Sequence, residues 1–107
     1  MAKEVFIKAI ENDHQEILIT KMTEKDSVFD QDYMLELTEL KQGADGPEAV
    51  NEGCALIWPK AVIIYAGTTA CDMTNAEEVM ASANFSSASI EKIIEVIKRL
   101  QKGDENI

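Results

Sequence analysis

The sequence predicts a mainly α-helical single domain, an N-terminal β-hairpin followed by about four helices over residues 1–103, with 104–107 as a disordered tail. Three observations lead there. Apolar residues recur at helical spacing in four stretches of the chain, two of these open on a capping-box pattern, and glycine or proline closes the longer ones. With 107 residues and 46% hydrophobic content, the chain supports one core and not two.

The hairpin comes first. Glu4 to Ile10 and Gln15 to Met22 carry the β-branched residues on either side of Glu11-Asn12-Asp13-His14, a plausible turn. Thr23-Glu24-Lys25-Asp26 then reads as a capping box, and Phe29, Tyr33, Leu37 and Leu40 follow at helical spacing. Gly43, Gly46 and Pro47 stop that run and make an interhelix turn.

The stretch Ala49 to Gly67 is apolar on nearly every side. Read as a helix broken or kinked near Pro59, it carries Val50, Cys54, Ile57, Trp58, Ala61, Val62 and Tyr65 on one stripe, with Leu56 and Ile63 on another face. Val62-Ile63-Ile64-Tyr65 and the Trp58-Pro59 step speak for a strand or a break. A helix apolar on two faces in so short a chain needs a partner, often another copy of itself. Asn51, Glu52, Pro59 and Lys60 interrupt the run too often for a membrane span.

A second capping box, Thr74-Asn75-Ala76-Glu77, opens a short helix with Val79, Met80 and Ala83 that ends around Asn84-Phe85. The last helix starts at serines 86, 87 and 89, lines one face with Ile90, Ile93, Ile94, Ile97 and Leu100, and stops before Gly103. Glu91 and Glu95 lie early in it and Lys98, Arg99 and Lys102 late, complementing the helix dipole.

Chemistry is harder to place. A net charge of −10, scattered along the chain, argues against nucleic acid and against anionic membranes as partners. His14 is the only histidine and falls in the hairpin turn with no nucleophile near it in sequence. Cys54 and Cys71 have no CxxC spacing, and no basic-then-apolar leader opens the chain, so a cytosolic protein with reduced thiols is expected. Asp26, Asp30, Asp32 and Glu36 come nearest to a cation cluster but do not match a calcium loop. The expectation is a non-enzyme with no catalytic residue, metal or cofactor, binding through Leu56, Ile57, Trp58, Val62 and Tyr65 and self-associating.

The order of these elements resembles the tail assembly chaperones of lambda-like bacteriophages, the G-protein type. The likeness is carried by the Glu-Asn-Asp-His turn, by Glu48-Ala49-Val50-Asn51-Glu52-Gly53-Cys54-Ala55-Leu56, and by Glu77-Glu78-Val79 before a serine-capped isoleucine helix. It implies a protein of the infected bacterial cytoplasm that coats the tape measure protein while the tail tube polymerises. It also implies a longer frameshifted product that recruits the tail tube protein, with Lys102-Gly103 compatible with slippery codons. A small acidic inhibitor or immunity protein covering a basic active site is the alternative.

Overall fold

The computed structural model describes residues 2–107. Its architecture is one antiparallel sheet with two helices on one face. The strands are β1 (Lys3–Glu11), β2 (Gln15–Glu24), β3 (Tyr33–Gly43), β4 (Gly46–Trp58), β5 (Ala61–Ala66) and β6 (Thr69–Cys71), followed by α1 (Ala76–Ser82) and α2 (Ser87–Gln101). Every strand pairs with its neighbours in sequence, in the order β1-β2-β3-β4-β5-β6. Strand makes up 49% of the chain and helix 21%, so the fold is mainly β and the expected mainly α domain with four helices is overturned.

The turns explain why the chain meanders. Asn12 Oδ1 accepts hydrogen bonds from the backbone N–H groups of His14 and Gln15, which closes the expected β1–β2 hairpin. Gly43 pairs with Gly46 across Ala44-Asp45, and Gly46 takes φ +119°, so the supposed interhelix turn is a hairpin. Trp58 pairs with Ala61 across Pro59-Lys60, where proline's fixed φ suits the first corner of a tight turn. The stretch Ala49 to Gly67 is therefore the β4–β5 hairpin with its turn at Pro59, and not a kinked helix.

The expected first helix also dissolves. Residues 25–32 form an irregular connection, and Tyr33, Leu35, Leu37 and Glu39 then alternate inward along β3. Phe29, Tyr33, Leu37 and Leu40 matched helical spacing because the alternating core positions Tyr33 and Leu37 are also four residues apart.

The core lies between sheet and helices. Ile17 and Ile19 of β2, Leu35 and Leu37 of β3, Ala55 and Ile57 of β4, and Val62 and Ile64 of β5 are buried against Met80, Phe85, Ile90, Ile93, Val96, Ile97 and Leu100. At about 25 cal/mol per Å² of apolar surface, this is the principal stabilising term. In α1 the N-cap is Asn75, one residue after the expected Thr74, and its side chain makes no capping bond. The expected last helix is present: Ser86 caps α2 by accepting from the Ser89 backbone N–H, and Gly103 follows it at φ +76°.

Beneath α2 sits a polar group on the core side. Glu39 is buried; one oxygen accepts from the backbone N–H and hydroxyl of Ser86, and the other from Asn51 Nδ2. Gln15 Nε2 donates to the buried Ser89 hydroxyl beside it. The carboxylate thus meets the positive end of the longest helix, where a negative charge is favourable. The four residues that the sequence reads as a disordered tail lie back on the sheet: Glu105 accepts from Tyr33 Oη at 2.5 Å and pairs with Lys21, and Ile107 packs against the core.

Candidate binding surface

The helices cover one face of the sheet and leave the other open. Cross-strand register places the open-face residues in rows. One row runs Phe6, Thr20, Met34, Leu56, Ile63, and the next runs Ala9, Leu18, Glu36, Cys54, Tyr65, Ala70. A third row, toward the β1–β2 turn, is Glu11, Glu16, Thr38, Glu52; at the opposite end lie Glu4, Met22, Trp58 and Ala61. Apolar side chains dominate the middle of this face. Phe6, Ile63 and Tyr65 are exposed, while Leu18, Met34 and Leu56 are half-buried.

The charge in these rows has one sign, with Lys3 beside Glu24 beyond them at the end of the face. Every ionisable side chain of those rows other than Tyr65 and Cys54 is a glutamate: Glu4, Glu11, Glu16, Glu36 and Glu52. Lys21, by contrast, pairs in register with Val5 and Tyr33 on the helix-bearing side. Cations over the open face would be attracted, and anions repelled.

The structure divides the five residues expected to bind a partner. Leu56, Trp58 and Tyr65 lie on the open face, whereas Ile57 and Val62 point into the core at 0% and 5% exposure. Alternation is the reason, since neighbours along a strand face opposite sides. Sequence reasoning left out Phe6, Leu18, Met22 and Met34. The signal for them was a pair of strands, β2 and β3, with apolar residues on both parities, which marks a sheet whose second face is also apolar.

Trp58 Nε1 donates to Asp30 Oδ1 at 3.1 Å, tying β4 to the 25–32 connection. Asp26 accepts from the backbone N–H groups of Phe29, Val28 and Ala2, which hold its carboxyl below the usual range, and Asp32 pairs with Lys25. The three aspartates therefore serve separate partners. Among the described residues no group of three His, Cys, Asp or Glu side chains is placed to hold a metal ion.

Nucleophiles are muted. Burial, and after it the Glu36 charge, pushes the Cys54 thiol up; burial and Asp72 do the same to Cys71. Burial, reinforced by the hydrogen bond to Glu105, pushes the Tyr33 phenol to about 12. His14 is exposed in the β1–β2 turn. No helix among the described residues is long and apolar enough to cross a membrane. No known protein family, curated protein or solved structure matches this chain.

Proposed function

We propose that this protein is a non-catalytic binding protein that masks an apolar segment of a partner protein on the open face of its sheet. The observation that carries this reading is the largely apolar row Phe6, Thr20, Met34, Leu56, Ile63, in whose flanking rows glutamates are the only carboxylates and no lysine or arginine stands. Such a face suits an amphipathic helix whose apolar stripe is flanked by lysine or arginine, lying on the sheet as α1 and α2 lie on the other side.

A tape measure protein, long, largely helical and apolar on one face, is the partner that the resemblance to tail assembly chaperones supplies. In that role the chain works in the cytoplasm of the infected bacterium, and a frameshifted longer product reaches the tail tube protein. The segment Glu48–Leu56 on which the resemblance leaned is a strand, so the masking surface in this reading is a sheet face and not a helix groove. Many copies along one chain gain by multivalency. Self-association in this reading runs through the free edge of β1, where Val5 and Phe6 are exposed, because two open faces would oppose glutamate to glutamate.

The glutamate-only border also favours the second reading, an acidic inhibitor seated on a basic active site. Salt separates the two. Binding of a basic amphipathic peptide, followed by fluorescence anisotropy at low and high salt, should keep most of its affinity if apolar contact dominates, and lose it steeply if charge does. Leu56→Glu and Tyr65→Glu should abolish binding while the circular dichroism of the free chain is unchanged. Undiminished binding by both variants would move the site elsewhere. Co-expression with a tape measure protein should raise the soluble yield of that partner, and lack of any rise would remove the tail assembly assignment.

A further inference from the structure

The open face holds two cavities that share Met34. One, of about 440 Å³, lies at the end of the face beside the β2–β3 connection, lined by Met22, Phe29 and Met34 with Lys3, Glu4 and Asp26. The other, of about 410 Å³, lies toward the β1–β2 turn and is lined by Glu36, Thr38, Glu52, Cys54 and Tyr65. Register explains the second set: Glu36, Cys54 and Tyr65 are neighbours in one row, and Thr38 faces Glu52 in the next. Both glutamates are exposed, and among the described residues neither forms an ion pair. Glu11 and Glu16 continue the Glu52 row, so this end of the face is acidic throughout, whereas Lys3 stands at the other end beside Glu24.

We propose that the open face takes a partner's amphipathic helix in one direction, with an arginine over Glu36, Glu52 and Tyr65 and a large apolar side chain two turns later in the cavity of Met22, Phe29 and Met34. Resting on the masking reading above, this gives the masked segment a motif and a polarity. A guanidinium is planar, so it lies on the Tyr65 ring while its N–H groups reach the two carboxylates, which the compact ammonium of lysine does not do. Methionine thioethers and the Phe29 ring adapt to a large apolar or aromatic side chain. Along β3 the two cavities are about four residues apart, about 13 Å at the rise of a strand. Two turns of helix cover about 11 Å and bring residues seven apart onto one face. Helical side chains lean toward the N-terminus, so a long arginine placed at the N-terminal end spans the rest. The helix dipole agrees, because its positive end then stands over the unpaired glutamates and its negative end nears Lys3.

The test uses a helical peptide with one arginine and, seven residues later, a phenylalanine, together with its match carrying glutamine in place of the arginine. In the full chain with methyl-labelled methionine, the arginine peptide should shift the Met22 and Met34 methyl resonances saturably. A nitroxide on its C-terminal end should broaden Met22, while one on its N-terminal end leaves Met22 sharp. Glu36→Gln combined with Glu52→Gln should weaken the arginine peptide at least about five-fold and leave the glutamine peptide unchanged. Broadening of Met22 from the N-terminal label, or equally from both labels, overturns the proposal. An equal effect of the double variant on the two peptides overturns it as well. In these cases saturable binding keeps the masking reading; if neither the arginine peptide nor the basic amphipathic peptide binds, both fall.

Discussion

At the residue scale, Glu39 shows how a charge becomes part of the fold. Burial alone pushes its carboxyl up, but the hydrogen bonds from Ser86 and Asn51, with the Ser89 hydroxyl beside them, together outweigh burial and hold it below the ordinary carboxylate value. A depressed folded-state pKa means a stabilising contribution that is complete above the unfolded value, near 4.3, and lost as pH falls through the folded one. Glu39→Gln keeps the shape and removes the charge. It should cost about 1–3 kcal/mol at neutral pH, and the variant's thermal midpoint should fall less between pH 6 and about pH 3 than that of the parent chain. Parallel acid limbs in the two melting series would show that Glu39 contributes nothing specific to the acid response.

At the scale of elements, the β4–β5 hairpin depends on one close backbone approach. A Cβ at Gly53 would stand 2.9 Å from the Tyr65 carbonyl oxygen and 3.4 Å from Phe85 Cζ. Backbone yields less readily than a flexible side chain, so Gly53→Ala should destabilise by about 1–3 kcal/mol in urea unfolding. A change within about 0.5 kcal/mol would mean that the two strands separate freely here. The same hairpin accounts for the largest misreading of the sequence. Val62, Ile64 and Ala66 face the helices while Ile63 and Tyr65 face outward, so every position is apolar or aromatic and the two-residue period disappears. The helical stripe from Val50 to Tyr65 mixed residues of both faces. In β3 the formers Met34, Leu35, Glu36 and Leu37 favour helix by intrinsic propensity, and cross-strand pairing overrode them.

For the whole molecule, the decisive asymmetry is a sheet with one face sealed and one left open. Ile57 and Leu56 are neighbours on β4 and belong to different faces. Ile57→Ala removes a fully buried side chain and should cost about 2–5 kcal/mol. Leu56→Ala, on the open face, should cost less, about 1–2 kcal/mol, because that side chain is only half-buried. Equal losses in urea unfolding would mean that Leu56 is core, and that the face is not free for a partner. The remaining contrast is electrostatic. Across the chain lysines interrupt the acids repeatedly, but folding gathers glutamates in the apolar rows, leaves Lys3 paired with Glu24 at the end of the face and turns Lys21 to the other side.

By itself the sequence determined the β1–β2 hairpin, both stretches that became α1 and α2, the serine cap of α2 and the glycine after it. Those signals are local: an Asx turn, a capping hydroxyl and a 3.6-residue period are complete within a few neighbouring residues. It also determined that this chain carries more apolar surface than one helical domain would hide. Only the tertiary structure decided that the surplus forms a second sheet face, that Leu56 and Tyr65 share it with Phe6, Leu18 and Met34, and that Ile57 and Val62 do not. The physical reason is that a strand has no hydrogen-bonding partner within itself. Its period becomes legible only when neighbours distant in sequence fix which side faces the helices and which faces water.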